Sequence, residues 1–217
     1  MNQISNDLSP EEAQQKNRRI LLIMTAIIVV PFLLAYTMFR TGLGMPGGTT
    51  NQGQLILPPL HIDKIGLRDR DGNALDYQFA DGLWTLLLIG EGACDARCQE
   101  ALYLTRQVHI ALGKDANRVV RFYAVKGALT DESTAGLIKA EHPRLVSIAV
   151  DDQVLSRYLS NENRAASLPF NSAQLTSESY VLVVDPLGNI MMYYTPEHTG
   201  KQMLKDLKKL LKNSKIG

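Results

Sequence analysis

Only two cysteines occur in this 217-residue chain, and they stand four apart in the stretch GEGACDARCQE, residues 90–100. The apolar run before them reads as a strand, and helical spacing follows them. On a helix, residues four apart are offset by about 40° and lie roughly 6 Å apart along the axis. Cys94 and Cys98 are therefore expected to face one direction, able to hold one ion between them or to be oxidised together. A disulfide across that spacing is at the edge of allowed geometry and should be readily reduced. A helix N-terminus favours thiolate at Cys94, Glu91 and Asp95 oppose it, and Arg97 partly offsets them. If the pair is redox-active, Cys94 and Cys98 are the catalytic residues. If it binds metal, two thiolates suit a soft ion, Cu(I). A structural disulfide is the plain alternative.

Cu(I) accepts two or three ligands, so a histidine could complete the site. The four histidines, His61, His109, His142 and His198, are scattered, and no closed zinc pattern is present. His109 would share the helix face of Cys98 but lies about 16 Å along the axis. His198 follows the last strand at the expected sheet edge of the motif, so it is the candidate third metal ligand beside Cys94 and Cys98.

What the thiols do depends on their compartment. Residues 20–39, ILLIMTAIIVVPFLLAYTMF, carry no charge over twenty positions, long enough to span about 30 Å of hydrocarbon. Pro31 is tolerated in a membrane span, and the run exceeds the apolar core of a cleaved leader. Lys16, Arg18 and Arg19 precede it, against Arg40 alone just after it. Basic flanks stay in the cytoplasm. The expected organisation is a cytoplasmic tail 1–19, a transmembrane helix 20–39, a Gly-rich flexible linker 40–58 and an exported domain 59–217. Disulfides persist in such a compartment.

Within the exported part, Gly66–Asp76 carries an Asp-Gly hairpin signal. Leu83–Ile89 reads as a central strand buried on both faces. Cys94–Leu112 has Leu102, Thr105, Val108 and Leu112 on one helical stripe, with Gly113 as a stop. Strands are predicted at Val119–Val125 and Leu145–Val150, and helices at Asp131–Glu141 and near Asp151–Leu159. A hairpin joins Tyr180–Asp185 to Ile190–Thr195, and Thr199–Lys212 closes the domain as an amphipathic helix. Parallel βαβ units finished by a hairpin and a helix describe an α/β, thioredoxin-like sandwich, a central mixed sheet with flanking helices, preceded by one N-terminal transmembrane helix.

This arrangement resembles the Sco/SenC family of membrane-anchored, thioredoxin-like cytochrome c oxidase assembly proteins. The resemblance rests on the single N-terminal span, Asp69-Arg-Asp-Gly72 and the Trp-containing strand Leu83–Ile89. It continues through Cys94-x-x-x-Cys98, Val184-Asp-Pro-Leu-Gly188 and Thr195-Pro-Glu-His198. It departs at Asp95, where the family usually has proline, and at Ser177-Glu-Ser179, where the family's histidine ligand is missing. The chain is thus read as a divergent member.

The resemblance implies an assembly factor in the bacterial cytoplasmic (inner) membrane, single-pass, with its C-terminal domain periplasmic. It would handle Cu(I), or the thiols of the copper-receiving subunit, through Cys94 and Cys98. Its partners would be cytochrome c oxidase subunits or other assembly factors. Two other readings stay open: a thiol–disulfide oxidoreductase acting on exported proteins, which would make the chain an enzyme, and a non-catalytic docking module using Tyr103, Tyr193 and Tyr194. A net charge of +1 gives no basic excess for nucleic acid.

Overall fold

The structure, a computed structural model, describes residues 10–41, 50–69, 71–80, 82–127, 132–161 and 168–214. Two compact units divide the chain, residues 1–49 and 50–217. In the first, α1 runs Pro10–Thr41 with Pro31 inside it. Within its segment Gln14–Thr41 an 18-residue window reaches mean hydropathy 2.5, and the helix is long and apolar enough to cross a membrane. The helix thus begins well before the expected span 20–39.

The second unit is built on seven strands: β1 Gln54–His61, β2 Leu67–Arg68, β3 Trp84–Gly90, β4 Val119–Lys126, β5 Leu145–Val150, β6 Val181–Val184 and β7 Asn189–Tyr194. They lie in the order β1-β7-β6-β3-β4-β5-β2. The central strands β3, β4 and β5 are parallel, and the remaining pairings are antiparallel. The mixed thioredoxin-like sheet expected from the βαβ pattern is present.

Every residue of β3 is buried, because the sheet is covered on both faces. Leu87 and Ile89 enter one apolar cluster with Phe122, Leu155 and Leu182. Leu86 and Leu88 enter the opposite cluster with Leu102, Tyr123, Met203 and Leu207. This period-two split explains why the strand reads as continuously apolar. Helices α2 (Ala96–Ala111), α3 (Glu132–Glu141) and α6 (Gly200–Asn213) supply the second cluster. The short helices α4 (Asp152–Leu159) and α5 (Ser172–Ser177) supply the first.

Two elements depart from the sequence expectation. The last residues of the expected linker 40–58 belong to β1, paired with β7. Pro58 and Pro59 hid this strand; an edge strand tolerates proline because its outer N–H groups need no ladder partner. Nor was α5 foreseen, although Asn171 and Gln174 close a full capping box at its start. The Asp-Gly hairpin is reduced to β2 and a single bridge, Arg68 to Ala74.

Candidate functional site

The Cys94 and Cys98 side chains are joined in a disulfide, with their Cα atoms 5.2 Å apart, within the usual range for such bonds. Their positions differ from the expected shared helix face. Cys94 precedes the helix, Asp95 is its N-cap, and Cys98 sits in the first turn of α2. The Asp95 carboxylate accepts the Cys98 backbone N–H at 2.9 Å. Aspartate is a strong N-cap because it satisfies a helical N–H that lacks an intrahelical carbonyl. Here it also takes a donor that would otherwise be free to face a thiolate.

The loop carrying Cys94 is pinned from both sides. Its N–H donates to Thr134 Oγ1 at 3.0 Å, reaching α3, and its carbonyl accepts from Gln99 Nε2 at 3.0 Å. Cys98 Sγ lies 3.4 Å from the Tyr123 hydroxyl, which donates to the Glu91 carbonyl at 3.0 Å. Gly90 allows this approach, since a Cβ there would fall 2.5 Å from Tyr123 Oη. Cys94 is 8% exposed and Cys98 5%. Both residues are thus buried, with Cys94 on the loop and Cys98 on the helix.

The charges around the pair are arranged differently from the expectation that Arg97 would offset Glu91 and Asp95. Arg97 pairs with Glu178 at 3.2 Å. Glu91 lies 3.7 Å from Lys126 Nζ, which also holds Asp152 at 3.0 Å. Glu178 belongs to the Ser177-Glu-Ser179 stretch, so the segment lacking the expected histidine still reaches α2 beside the disulfide. Ser179 there is buried with φ +53°, a conformation that costs a non-glycine residue energy. A cavity of about 390 Å³ lies along this side, lined by Arg97, Ala101, Ser179, Thr195 and His198 among others.

The histidines do not converge on the sulfurs. His198, the expected third ligand, has both ring nitrogens engaged within the fold. Nδ1 accepts from the Thr195 N–H at 3.0 Å and contacts its hydroxyl at 2.9 Å, so Nε2 carries the proton it donates to the Gln52 carbonyl at 3.0 Å. The ring holds the loop after β7 against residue 52. His109 Nε2 faces the carbonyls of Ala116 and Val119, and His61 lies 3.3 Å from Asp63. Among the described residues no group of three His, Cys, Asp or Glu could hold a metal ion. Bonded to each other, the two sulfurs are not thiolates, the form in which cysteine binds a soft ion. Of the tyrosines assigned to a docking surface, Tyr103 is 54% exposed, whereas Tyr193 and Tyr194 are core.

No curated protein matches the sequence. Among solved structures, apo Sco1 from Thermus thermophilus superposes with a TM-score of 0.53 at 18% identity, covering 76% of this chain and 99% of that one. Arabidopsis thaliana ScoI with copper bound gives 0.51 at 16% identity, covering 75% and 99%. A putative electron transfer protein from Aquifex aeolicus gives 0.50 at 15%, covering 72% and 95%. At such identities the likeness is one of fold, and it is the fold that the Sco/SenC motifs led us to expect. Residues 84–214, which include the whole disulfide motif, match the family described as transmembrane-like, thioredoxin-like, C-terminal domain, and the chain belongs to that family.

Proposed function

We propose that this chain is a membrane-anchored thiol–disulfide exchange protein serving the assembly of a bacterial cytochrome c oxidase, with the cysteines of the copper-receiving subunit as its target. The observation that carries this reading is the Cys94–Cys98 disulfide at the junction of β3 and α2. There one sulfur lies on a loop and the other in the first turn of a helix. In exchange, a partner thiolate attacks Cys94 Sγ, the bond to Cys98 breaks, and Cys98 takes up the proton. A second partner thiol then resolves the mixed disulfide, leaving the partner oxidised and the pair reduced by two electrons. Run in reverse, the reduced pair delivers those electrons to a partner disulfide. That direction is the one that prepares cysteines for copper.

Supporting this reading are the apolar helix α1, the basic residues Lys16, Arg18 and Arg19 ahead of it, and the motif resemblance to Sco/SenC proteins. In this reading residues 1–19 are cytoplasmic, 20–39 span the inner membrane, and the domain beyond the linker is periplasmic. Carriage of Cu(I) by the pair is the less supported alternative, because it requires reduced sulfurs and the two are joined in a disulfide.

The test is titration of the full-length protein against glutathione, with mass-spectrometric readout, alongside oxidase activity in cells carrying Cys94→Ser or Cys98→Ser. A reversible potential, a mixed disulfide trapped at Cys94 in the Cys98→Ser variant and lowered oxidase activity are expected. A pair that never exchanges, or full oxidase activity in both variants, overturns the proposal.

A further inference from the structure

Helix α6 carries five lysines, Lys201, Lys205, Lys208, Lys209 and Lys212, and all five are exposed. At about 100° per residue they fall within an arc of roughly 100°, along about 16 Å of the helix axis. The opposite side is buried, with Met203, Leu207 and Leu211 in the apolar cluster on the sheet. Asp206, the one acidic residue of the helix, is buried as well, and its Oδ2 is taken by the Gln52 and Gly53 N–H groups and the Tyr194 hydroxyl. Among the described residues no carboxylate forms a salt bridge with any of the five lysines. Arg118 adds a sixth cation at the C-terminal end, donating to the Leu211 and Ser214 carbonyls. Lys201 and Lys205, Lys205 and Lys209, and Lys208 and Lys212 stand four apart, a spacing at which like charges destabilise a helix. Negative charge brought to this face would relieve that repulsion.

We propose that the lysine face of α6 docks the domain onto the anionic phospholipid headgroups of the bilayer that α1 spans; this rests on the membrane reading of α1 given above. Two observations favour lipid over an acidic protein. First, no large apolar side chain of α6 is exposed, whereas a protein interface has an apolar centre. A face of cations alone suits adsorption onto headgroups, as polybasic segments beside a membrane span adsorb to anionic lipid. Second, only residues 42–49 separate Thr41, the end of α1, from Thr50, and a chain of that length reaches at most about 30 Å. The tether joins the domain on α6 itself. Lys209 Nζ donates to the Thr50 hydroxyl, and Asp206 holds the N–H groups of Gln52 and Gly53. The lysine face thus lies at the domain's point of attachment. Helix α6 also packs closely on α2, since a Cβ on Gly200 would fall 2.9 Å from Leu104. Docking through the lysines therefore sets how the helix of Cys98 is presented at the bilayer.

The experiment reconstitutes the full chain into vesicles of phosphatidylcholine alone or mixed with phosphatidylglycerol. Lysines are then acylated with a membrane-impermeant reagent and read by mass spectrometry. In the anionic vesicles the five lysines of α6 are expected to react several-fold more slowly than in the neutral ones. Exposed Lys64 and Lys139, on other elements, should react alike in both. High salt should abolish the difference, because it screens charges at a surface. In a Lys205→Gln/Lys208→Gln/Lys212→Gln variant, Lys201 and Lys209 should lose most of their protection. Equal labelling of wild-type α6 in the two lipids, protection that survives high salt, or undiminished protection in the triple variant would overturn the proposal. Protection in native membranes without any in phosphatidylglycerol vesicles would assign the face to an acidic protein and overturn it too. Flotation checks the anchor separately. A chain that floats with neither vesicle refutes the span and the docking together, whereas one that floats with both yet labels equally refutes the docking alone.

Discussion

Cys98 Sγ and the Tyr123 hydroxyl lie 3.4 Å apart, and the proton of that hydroxyl is already given to the Glu91 carbonyl. Tyr123 is thus an acceptor toward Cys98, set to receive the S–H of the reduced thiol. It favours the dithiol over the disulfide.

Removing that acceptor with Tyr123→Phe should destabilise the reduced form by about one hydrogen bond, roughly 1 kcal/mol. The reduction potential of the pair should therefore fall by about 20 mV, read by glutathione titration. A rise in potential would show that Tyr123 donates to a thiolate instead and would refute this assignment. Gly90→Ala, whose Cβ would collide with Tyr123, should move the potential as well.

The Asp95 carboxylate follows Cys94 directly and caps α2 through the Cys98 N–H. Asp95→Ser keeps a capping oxygen and removes the charge, so helix stability should change by less than about 1 kcal/mol. Exchange with glutathione at neutral pH should become several-fold faster, since a negative charge next in sequence to Cys94 no longer opposes the thiolate. Stopped-flow measurement of the exchange rate checks this, and an unchanged or slower rate counts against it.

Thr134→Val should cost about 1–3 kcal/mol in urea unfolding of the oxidised protein, because the buried Cys94 N–H loses its acceptor. The same variant frees the loop that holds Cys94, so trapping of a mixed disulfide should speed up. Loss of stability without faster trapping would mean that the loop is held by its other contacts.

His109 and His142 both have pKa values lowered from 6.5, burial being the largest cause in each. In the folded state they stay neutral to a lower pH than in the unfolded chain, which takes up their protons first. Their contribution to stability is present above about pH 6.5 and is lost as pH falls through the lowered folded values. Unfolding free energy should decline on acidification below that point. His142→Gln should flatten the decline; an unaltered slope would assign it to other groups.

Asp206 of α6 is buried, and its Oδ2 accepts from the Gln52 and Gly53 N–H groups and from the Tyr194 hydroxyl. Burial first, and then Asp206, push the Tyr194 hydroxyl pKa upward, so it remains a donor. Asp206→Asn replaces charge-assisted bonds with neutral ones and should cost about 1.5–3 kcal/mol, measured by denaturant unfolding.

Much of this architecture was legible in the chain. Leu83–Ile89 and Val119–Val125 announce central strands because both of their faces are buried; of the stripe Leu204, Leu207 and Leu211 expected beneath the lysines of α6, Leu207 and Leu211 are buried, with Met203 rather than Leu204 beside them. The position of Cys94 was open to the same kind of reading. Asp95, three residues ahead of an N–H that needs an acceptor, is an N-cap signal that puts the first cysteine outside the helix. The engagement of His198 with Thr195 and Gln52 had no such signal, since its partners are a neighbouring turn and a backbone carbonyl 146 positions away. Arg121 was equally silent: in sequence it is one cation inside the run VVRFYAV, and only the neighbours folded over it reveal that it is buried.

The ring closed by Cys94 and Cys98 contains only five residues. By chain-entropy arithmetic so small a loop restrains the denatured polypeptide by about 2 kcal/mol, less than half of what a hundred-residue loop would give. The sandwich, packed on both sides of its sheet, owes little of its integrity to that bond. The exchange proposed above could therefore open and reseal that bond with the architecture standing.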